Sequence, residues 1–324
     1  QDELIFDGSS FAISKEGVLL SKARSFKEDL KIVNLKSEKK YGFSPYCREE
    51  EIFNALCLGV KDYFNKTGYK KTVLGLSGGI DSALVASIAV NALGKNNVYG
   101  VSLPSKFSSE HSLSDAEELA KNLGIEYQVI RINSLINSFK TTLEPSFKNT
   151  NSNVAEENIQ SRVRGSLLMA LANKFGWLVL STGNKTELAL GYCTLYGDMI
   201  GALSVIADLS KNDVYAVSKW INKHNQNCIP INSMLKPPSA ELAPNQVDPF
   251  DYSIISPLVD DIIEKQKPLS VLINEGFEES LVRDIYKKIK FNEYKRRQAP
   301  PALRVSSKAF GIGRRLPIVN NFNG

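Results

Sequence analysis

Between residues 75 and 82 the chain reads Gly75-Leu76-Ser77-Gly78-Gly79-Ile80-Asp81-Ser82. Two adjacent glycines let a backbone come close to a bulky anion, and two serines offer hydroxyl donors. A helix starting at this point would aim free amides and a partial positive charge at the same spot. Such a loop is suited to holding phosphate. An aspartate there is unfavourable beside a bare polyphosphate and becomes useful when Mg²⁺ stands between them. The loop is not a Walker A sequence, which needs Gly-Lys-Ser/Thr, and it is not GxGxxG. The plain alternative is a glycine-rich connection between strand and helix. A Gly-Gly pair alone would favour that alternative, whereas Ser-Gly-Gly-x-Asp-Ser between a strand and a helix favours phosphate.

A second group of polar residues lies about a hundred positions on. Leu180-Ser181-Thr182-Gly183-Asn184-Lys185-Thr186-Glu187 is followed by Gly191-Tyr192-Cys193-Thr194-Leu195-Tyr196-Gly197-Asp198. Asn158 and Arg162, four apart, would share one helix face. Arg162 could bind a substrate or pair with Glu156 or Glu157, and Lys295 could neutralise phosphates or be one of several solvated basic residues. Cys193 has no histidine near it in sequence and reads as a small packing residue instead of an acyl carrier. His111, after Ser108-Ser109, could line a nucleotide pocket or be incidental. Cys47, Cys57, Cys193 and Cys228 form no CxxC pair, and His111 and His224 are far apart. That spacing argues against a zinc site or a disulfide framework, and reduced thiols in a cytoplasm are the expectation.

Positioning these groups calls for alternating strands and helices. Thr72 to Leu76 reads as a buried strand, Asp81 to Leu93 as a helix stopped by Gly94, and Val98 to Leu103 as the next strand. Ser114-Asp115-Ala116-Glu117 reads as a capping box opening a helix that stops at Gly124. Tyr127 to Arg131, Ala155 to Lys174 and Trp177 to Leu180 continue as strand, helix and strand. The alternation predicts an α/β fold with a doubly wound parallel sheet and flanking helices. The phosphate loop then falls at the carboxyl end of the first core strand, where open sheets bind ligands. Upstream, Ile52, Leu56, Val60 and Phe64 recur every four residues and predict a helix over 48 to 66. Residues 3 to 24 predict two strands around a turn at Lys15-Glu16-Gly17, a hairpin with too little apolar surface to fold alone. A charged linker follows, over 25 to 45. Residues 145 to 153, and 237 to 257 with five prolines, break the pattern as long loops.

The composition, 43% hydrophobic and 23% charged, excludes a disordered or fibrous chain, and no apolar run is long enough to span a membrane. The net charge of +5 hides an asymmetry: from Lys295 onward there are seven basic residues and no acid, so residues 1 to 294 sum to −2. Such a segment suits a small polyanion or a nucleic acid, or is a solvated tail. The aromatics available for base stacking there are few, and Asp81 would repel a backbone phosphate. No nucleic-acid and no membrane partner is therefore expected.

Ser77 to Ser82 resembles the pyrophosphatase loop of the N-type ATP pyrophosphatases. These enzymes cleave ATP between its α and β phosphates to adenylate a substrate, and they include synthetases for NAD, GMP, asparagine and argininosuccinate. The pair of elements at 180–187 and 191–198 resembles NAD synthetase in particular. Asn158-Ile159-Gln160-Ser161-Arg162 is similar to that family's substrate-binding helix, and Lys236-Pro237-Pro238-Ser239-Ala240-Glu241-Leu242 to its mobile flap. Glu293-Tyr294-Lys295-Arg296-Arg297 and Lys308-Ala309-Phe310-Gly311 are similar to its closing segment. The resemblance covers about residues 45 to 320. Asp2 to Phe11 resembles the end of the nitrilase-like glutaminase domain that precedes the synthetase in glutamine-dependent members. Residues 1 to 40 are thus expected to be a remnant of that domain plus linker, with its catalytic part upstream in a longer chain. Residues 41 to 324 are expected to be the synthetase domain, with the Rossmann-like fold of the adenine nucleotide alpha hydrolases.

The resemblance implies ATP- and Mg²⁺-dependent amidation of deamido-NAD⁺ to NAD⁺ through an acyl-adenylate, with release of AMP and pyrophosphate. The nitrogen would be ammonia delivered from glutamine. It implies ATP contacts from Gly75, Leu76, Ser77, Gly78, Gly79, Ile80, Asp81, Ser82, Thr182, Lys211 and Ser239. Asp81 and Glu187 would be the Mg²⁺ ligands and the catalytic pair, and Asn158, Arg162, Glu187 and Lys295 would contact the dinucleotide. Leu195 stands where ammonia-only members usually carry a substrate-binding Lys, so that contact is not carried over. A homo-oligomer is implied as well. Another adenylating ATP pyrophosphatase, such as a GMP synthetase, remains the enzymatic alternative, and a nucleic-acid-binding module the non-catalytic one.

Overall fold

In a computed structural model, residues 2–35, 41–42, 45–224, 227–244 and 246–320 are described. The chain opens with an antiparallel pair, β1 (Phe11–Ile13) and β2 (Leu19–Lys22), joined through the turn at Gly17. Glu3 to Phe6, expected as strand, is irregular, and Glu3 instead accepts the Arg304 amide at 2.8 Å. Helix α1 (Arg48–Thr67) then leads into β3 (Thr72–Gly75) and α2 (Ile80–Leu93). The core continues through β4 (Val98–Ser102), α3 (Glu110–Leu123), β5 (Glu126–Val129), α4 (Asn133–Leu143), α5 (Val154–Phe175), β6 (Leu178–Ser181), α6 (Lys185–Leu190), β7 (Leu203–Ser204) and α7 (Lys211–His224). Shorter helices complete the described chain: α8 (Ile231–Leu235), α9 (Tyr252–Ile263), α10 (Leu269–Asn274), α11 (Glu279–Phe291) and α12 (Glu293–Arg296).

The main sheet is parallel, in the order β5-β4-β3-β6-β7. Strand β3 is central, and the chain winds to one side of it through β4 and β5, then crosses over by α5 to β6 on the other. Its residues alternate between two layers: Leu74 faces α1, α2 and α7, whereas Val73 faces α5 and the start of α4. Helix α2 is apolar on all sides, and Ala83 to Ala86, Ile88 and Ala89 are fully enclosed, as a helix between a sheet and two others must be. A second cluster, from α6, α9, α10, α11 and Phe310, lies on the side of the carboxyl-terminal segment. That segment runs beside β7, with Ser204 donating its amide to the Pro301 carbonyl at 2.9 Å.

The structure departs from the sequence reading in three further places. Helix α3 starts four residues before the expected capping box: the Ser109 side chain accepts the Ser112 amide at 3.1 Å, and Ser114 lies in the second turn with its hydroxyl bonded back to the His111 carbonyl. Helix α4 lies where the sequence reading placed no element, although Leu135, Ile136, Phe139 and Leu143 recur at helical spacing; only Ile136 among them is deeply buried. The proline-rich stretch ends at 251, because α9 is capped by Asp251 and runs through Pro257. That proline gives up only the bond to the Ser253 carbonyl near the exposed helix start.

Candidate active site

The order reversal at β3 opens a crevice between the carboxyl ends of β3 and β6, and a cavity of about 320 Å³ occupies it. The 75–82 loop forms one wall. Gly78 has a φ of +74°, and a Cβ there would come within 2.2 Å of the Ser112 carbonyl oxygen, so both conformation and space require glycine. Hydroxyls hold the turn from within: Ser77 Oγ accepts the Gly79 amide at 3.2 Å, and Ser82 Oγ accepts the Ser77 amide at 3.3 Å and donates to the Gly79 carbonyl at 3.0 Å. Gly79 caps α2 with no side chain bonded to the first-turn amides, which leaves that end of the helix open to an anion.

The opposite wall comes from β6 and α6. Asn184, fully enclosed, caps α6: its Oδ1 accepts the Glu187 amide at 3.0 Å, and Glu187 Oε2 accepts the Asn184 amide at 3.2 Å. The same Asn184 donates its amide NH₂ to Asp81 at 2.9 Å. One buried residue therefore ties together the carboxylates of two walls, Asp81 through its side-chain amide and Glu187 through its backbone amide. Lys211, at the start of α7 and 2% exposed, closes the arrangement with an ion pair to Asp81 and a contact to Glu187 at 3.4 Å. Its ammonium also lies 5.3 Å from the centre of the Tyr252 ring. Burial raises the Glu187 carboxyl above the usual carboxylate range against the opposing pull of Lys211. Burial works to lower the Lys211 ammonium, but the two carboxylates outweigh it and hold it above its ordinary value.

Two hard carboxylate oxygens flanking one cation are a suitable donor set for Mg²⁺, which is held by one or two carboxylates and completed by phosphates and water. Among the described residues no group of three or more His, Cys, Asp or Glu side chains could hold a metal unaided, so a cation here would depend on a phosphate ligand.

Of the expected ATP contacts, Gly75, Leu76, Ser77, Gly79, Ile80, Asp81, Ser82, Thr182, Lys211 and Ser239 line this one cavity. Gly78 supports it from behind, its carbonyl accepting the Ser233 hydroxyl at 2.9 Å. Asn158, Arg162 and Lys295 do not line it. All three grip the 191–198 loop: Asn158 accepts the Thr194 hydroxyl at 2.7 Å, Arg162 donates to the Leu195 carbonyl at 3.2 Å, and Lys295 donates to the Gly191 and Cys193 carbonyls at 2.7 and 2.9 Å. Arg162 makes this bond in place of a pair with Glu156 or Glu157, and Lys295 is a clamp instead of a solvated charge. The loop they hold contributes Tyr192, Cys193, Gly197 and Asp198 to the cavity wall. Burial pushes the Cys193 thiol up to about 12, which suits packing and not nucleophilic attack. His111 is exposed on α3 and does not line the cavity.

Several residues that build or line the site were not singled out in the sequence. Asn184 was legible as the first position of an Asn-x-x-Glu capping box. Arg164 shares a helix face with Ser161, Gly165 and Leu168, a spacing that could have marked it; its Nε donates to the Leu103 carbonyl at 2.9 Å. Asp248 accepts the Tyr252 hydroxyl at 2.8 Å through one oxygen, while the other is buried with no hydrogen-bond partner among the described residues. Lys236 and Glu241 were named only as members of the flap-like 236–242 segment, with no role of their own.

A model of the NAD synthase family matches residues 52–299. The glutamine-dependent NAD(+) synthetase of Synechocystis sp. is 47% identical over 99% of this chain, an alignment that takes in 59% of that protein. The chain spans about 60% of the length of the curated relatives it matches. Among solved structures, glutamine-dependent NAD⁺ synthetase from Acinetobacter baumannii in complex with ADP superposes with a TM-score of 0.70 at 39% identity, covering 97% of this chain and 59% of that one. NMN synthetase from Francisella tularensis gives 0.62 at 27% identity, covering 78% and 94%.

Proposed function

The chain belongs to the NAD synthase family, and from that premise we propose that residues 41–324 convert deamido-NAD⁺ to NAD⁺ at the expense of ATP. The supporting observation is the joining of the 75–82 loop to Glu187 through Asn184 and Lys211 at the mouth of a single cavity. In this reading the carboxylate of deamido-NAD⁺ attacks the α-phosphorus of ATP, pyrophosphate leaves, and ammonia then displaces AMP from the acyl-adenylate. The loop amides, Ser77, Ser82 and the open end of α2 would hold the departing pyrophosphate, where negative charge grows. Asp81 and Glu187 would hold Mg²⁺, which supplies charge neutralisation and alignment of the phosphates. Lys211 stays between the carboxylates and the phosphates and limits repulsion among them. Arg164 offers a further positive charge to a dinucleotide phosphate. The unpartnered oxygen of Asp248 is an acceptor for an N–H of the incoming nitrogen donor. Asn158, Arg162 and Lys295 act through the 191–198 loop. Residues 1–40 would be the remnant of a preceding glutaminase domain plus linker, a reading supported by the separate β1–β2 pair and by the exposure of Phe6, Phe11, Leu30 and Ile32, with Ile5 packing against the core of the synthetase part.

The test is incubation with deamido-NAD⁺, ATP, Mg²⁺ and ammonium, with chromatography for NAD⁺ and AMP in equal amounts. Nicotinate mononucleotide and xanthosine monophosphate serve as rival acceptors. Preferred turnover of either would replace deamido-NAD⁺ as the substrate, and the absence of AMP with all three would end the adenylation reading.

A further inference from the structure

The strap Lys236–Leu242 crosses the cavity, and Lys236 to Leu242 all line it. Two of its side chains meet on Ser112, in the first turn of α3. Glu241 accepts the Ser112 hydroxyl at 2.7 Å, the Ser109 hydroxyl at 3.0 Å and the Ser109 amide at 3.3 Å. Lys236 donates to Ser112 Oγ at 3.0 Å and to Asp115 at 3.2 Å. The far end of the strap is held separately, by Gln160 donating to the Leu242 carbonyl at 2.8 Å. Ser112 is also the residue whose carbonyl oxygen leaves no room for a side chain at Gly78. One serine thus touches the strap at two points and the phosphate loop at a third.

Glu241 has a φ of +48°, a left-handed conformation that an ordinary side chain adopts only when its surroundings demand it. Its three charge-assisted hydrogen bonds and the favourable end of α3 supply that demand. Arg164, the buried cation of the neighbouring wall, feels the same carboxylate. Glu241 lies two residues beyond Ser239, whose hydroxyl accepts the Glu241 amide at 3.1 Å. Fixing Glu241 therefore fixes the turn that presents Ser239 to the cavity.

We propose that Glu241 is a positioning residue: its carboxylate, bonded to Ser109 and Ser112, latches the Lys236–Leu242 strap to α3 and so holds Ser239 and Lys236 facing the nucleotide. This rests on the cavity being the ATP site of the proposed function, but the latch can be read without turnover. In the 324-residue chain, Glu241→Ala should speed amide exchange at 239–242 by about tenfold or more, and should leave exchange in β3 and α2 unchanged. It should weaken binding of α,β-methylene-ATP, measured by calorimetry, by about tenfold. In turnover the KM for ATP should rise by about the same factor while kcat changes less than about threefold. Glu241→Gln, which keeps the shape and one acceptor, should fall between. Ser112→Ala, which removes one of the three bonds to Glu241 together with the Lys236 bond, should give a smaller loss, and adding it to Glu241→Ala should cost less than the sum of the two, because the Glu241–Ser112 bond is lost in each. Unchanged exchange at 239–242, unchanged analogue affinity, or additive losses in the double variant would each overturn the latch. If Glu241→Ala does not fold, the Gln and Ser112 variants carry the same comparison. Failure of deamido-NAD⁺ turnover with the analogue results as expected would count against the substrate and not against the latch.

Discussion

Replacing Gly78 by alanine, set against the same change at Gly79, tests the construction of the phosphate loop. The two glycines are adjacent, yet the structure asks different things of them. At Gly78 the backbone is left-handed, which costs an L-residue about 1–2 kcal/mol. The new Cβ would also stand 2.2 Å from the Ser112 carbonyl oxygen and 2.9 Å from its Cα. Those are backbone atoms of a capped helix, so no rotamer change relieves the overlap, and a shift of α3 or of the loop adds about 1–3 kcal/mol. The expected loss is about 2–5 kcal/mol. At Gly79 the φ is −84° and the nearest atom is the Ser77 hydroxyl oxygen at 3.1 Å, which needs to give by only a few tenths of an ångström. Alanine there also restricts the unfolded chain, so the net change should lie within about 1 kcal/mol of zero. Urea unfolding followed by tryptophan fluorescence measures both, since Trp177 stacks on Tyr99 of β4 at 4.0 Å and reports on the sheet. Gly78→Ala within about 1 kcal/mol of Gly79→Ala would show that α3 does not press on the loop and would refute the reasoning.

Lys211→Met leaves Asp81 and Glu187 facing each other without their cation, and should cost roughly 3 kcal/mol together with ATP cleavage. Millimolar Mg²⁺ should raise the unfolding midpoint of this variant more than that of the unaltered chain, and equal effects would count against the two carboxylates as a cation site. Asp260, which pairs with Lys185 at 3.2 Å, supplies a pH test. Burial, opposed by Lys185, pushes its carboxyl up to about 6 from an ordinary 3.8, so between about pH 4 and 6 the folded state holds more proton than the unfolded one. Stability from this group is then present at low pH and lost as pH rises through 6. The shift corresponds to about 3 kcal/mol at most, trimmed to about 1–2 kcal/mol because the side chain is 27% exposed. The stability of Asp260→Asn relative to the unaltered chain should therefore climb from pH 4 to 6 and level off above; a flat difference would refute the assignment.

The parts of the fold legible in the sequence were those with strong local patterns. Val73-Leu74 is buried on both faces, α1 repeats its apolar residues at helical spacing and α2 is a nearly continuous apolar run closed by Gly94, so strands and helices around the phosphate loop fell within a residue or two of expectation. The short strand β7 was not legible, because two residues carry no period and Leu203–Ser204 is defined by pairing with β6. In the site, the loop and Glu187 stood out as residue types in a spacing. Their joining through Asn184 and Lys211 did not, because it depends on β6 lying beside β3, a contact between residues 106 positions apart. Asn158, Arg162 and Lys295 were recognisable as a set, but their convergence on the 191–198 loop was not, because Arg162 and Lys295 hold it by backbone carbonyls, which carry no side-chain signature, and Asn158 by the Thr194 hydroxyl.

The winding of the sheet has a kinetic side. Thr72 pairs with Val98, 26 residues on, along one edge of β3 and with Leu178, 106 residues on, along the other. By loop-closure entropy the second pairing costs about 1 kcal/mol more to initiate than the first. The phosphate loop belongs to the early edge, and Thr182 and Glu187 to the late one. The site is thus divided across the longest closure in the sheet, and a nucleotide that needs both walls binds only chains in which β6 has docked. Ligand affinity then adds to the stability of that seam by mass action. Nucleotide-dependent protection of β3 and β6 against exchange would accordingly measure how completely the chain has closed, as well as how tightly it holds its ligand.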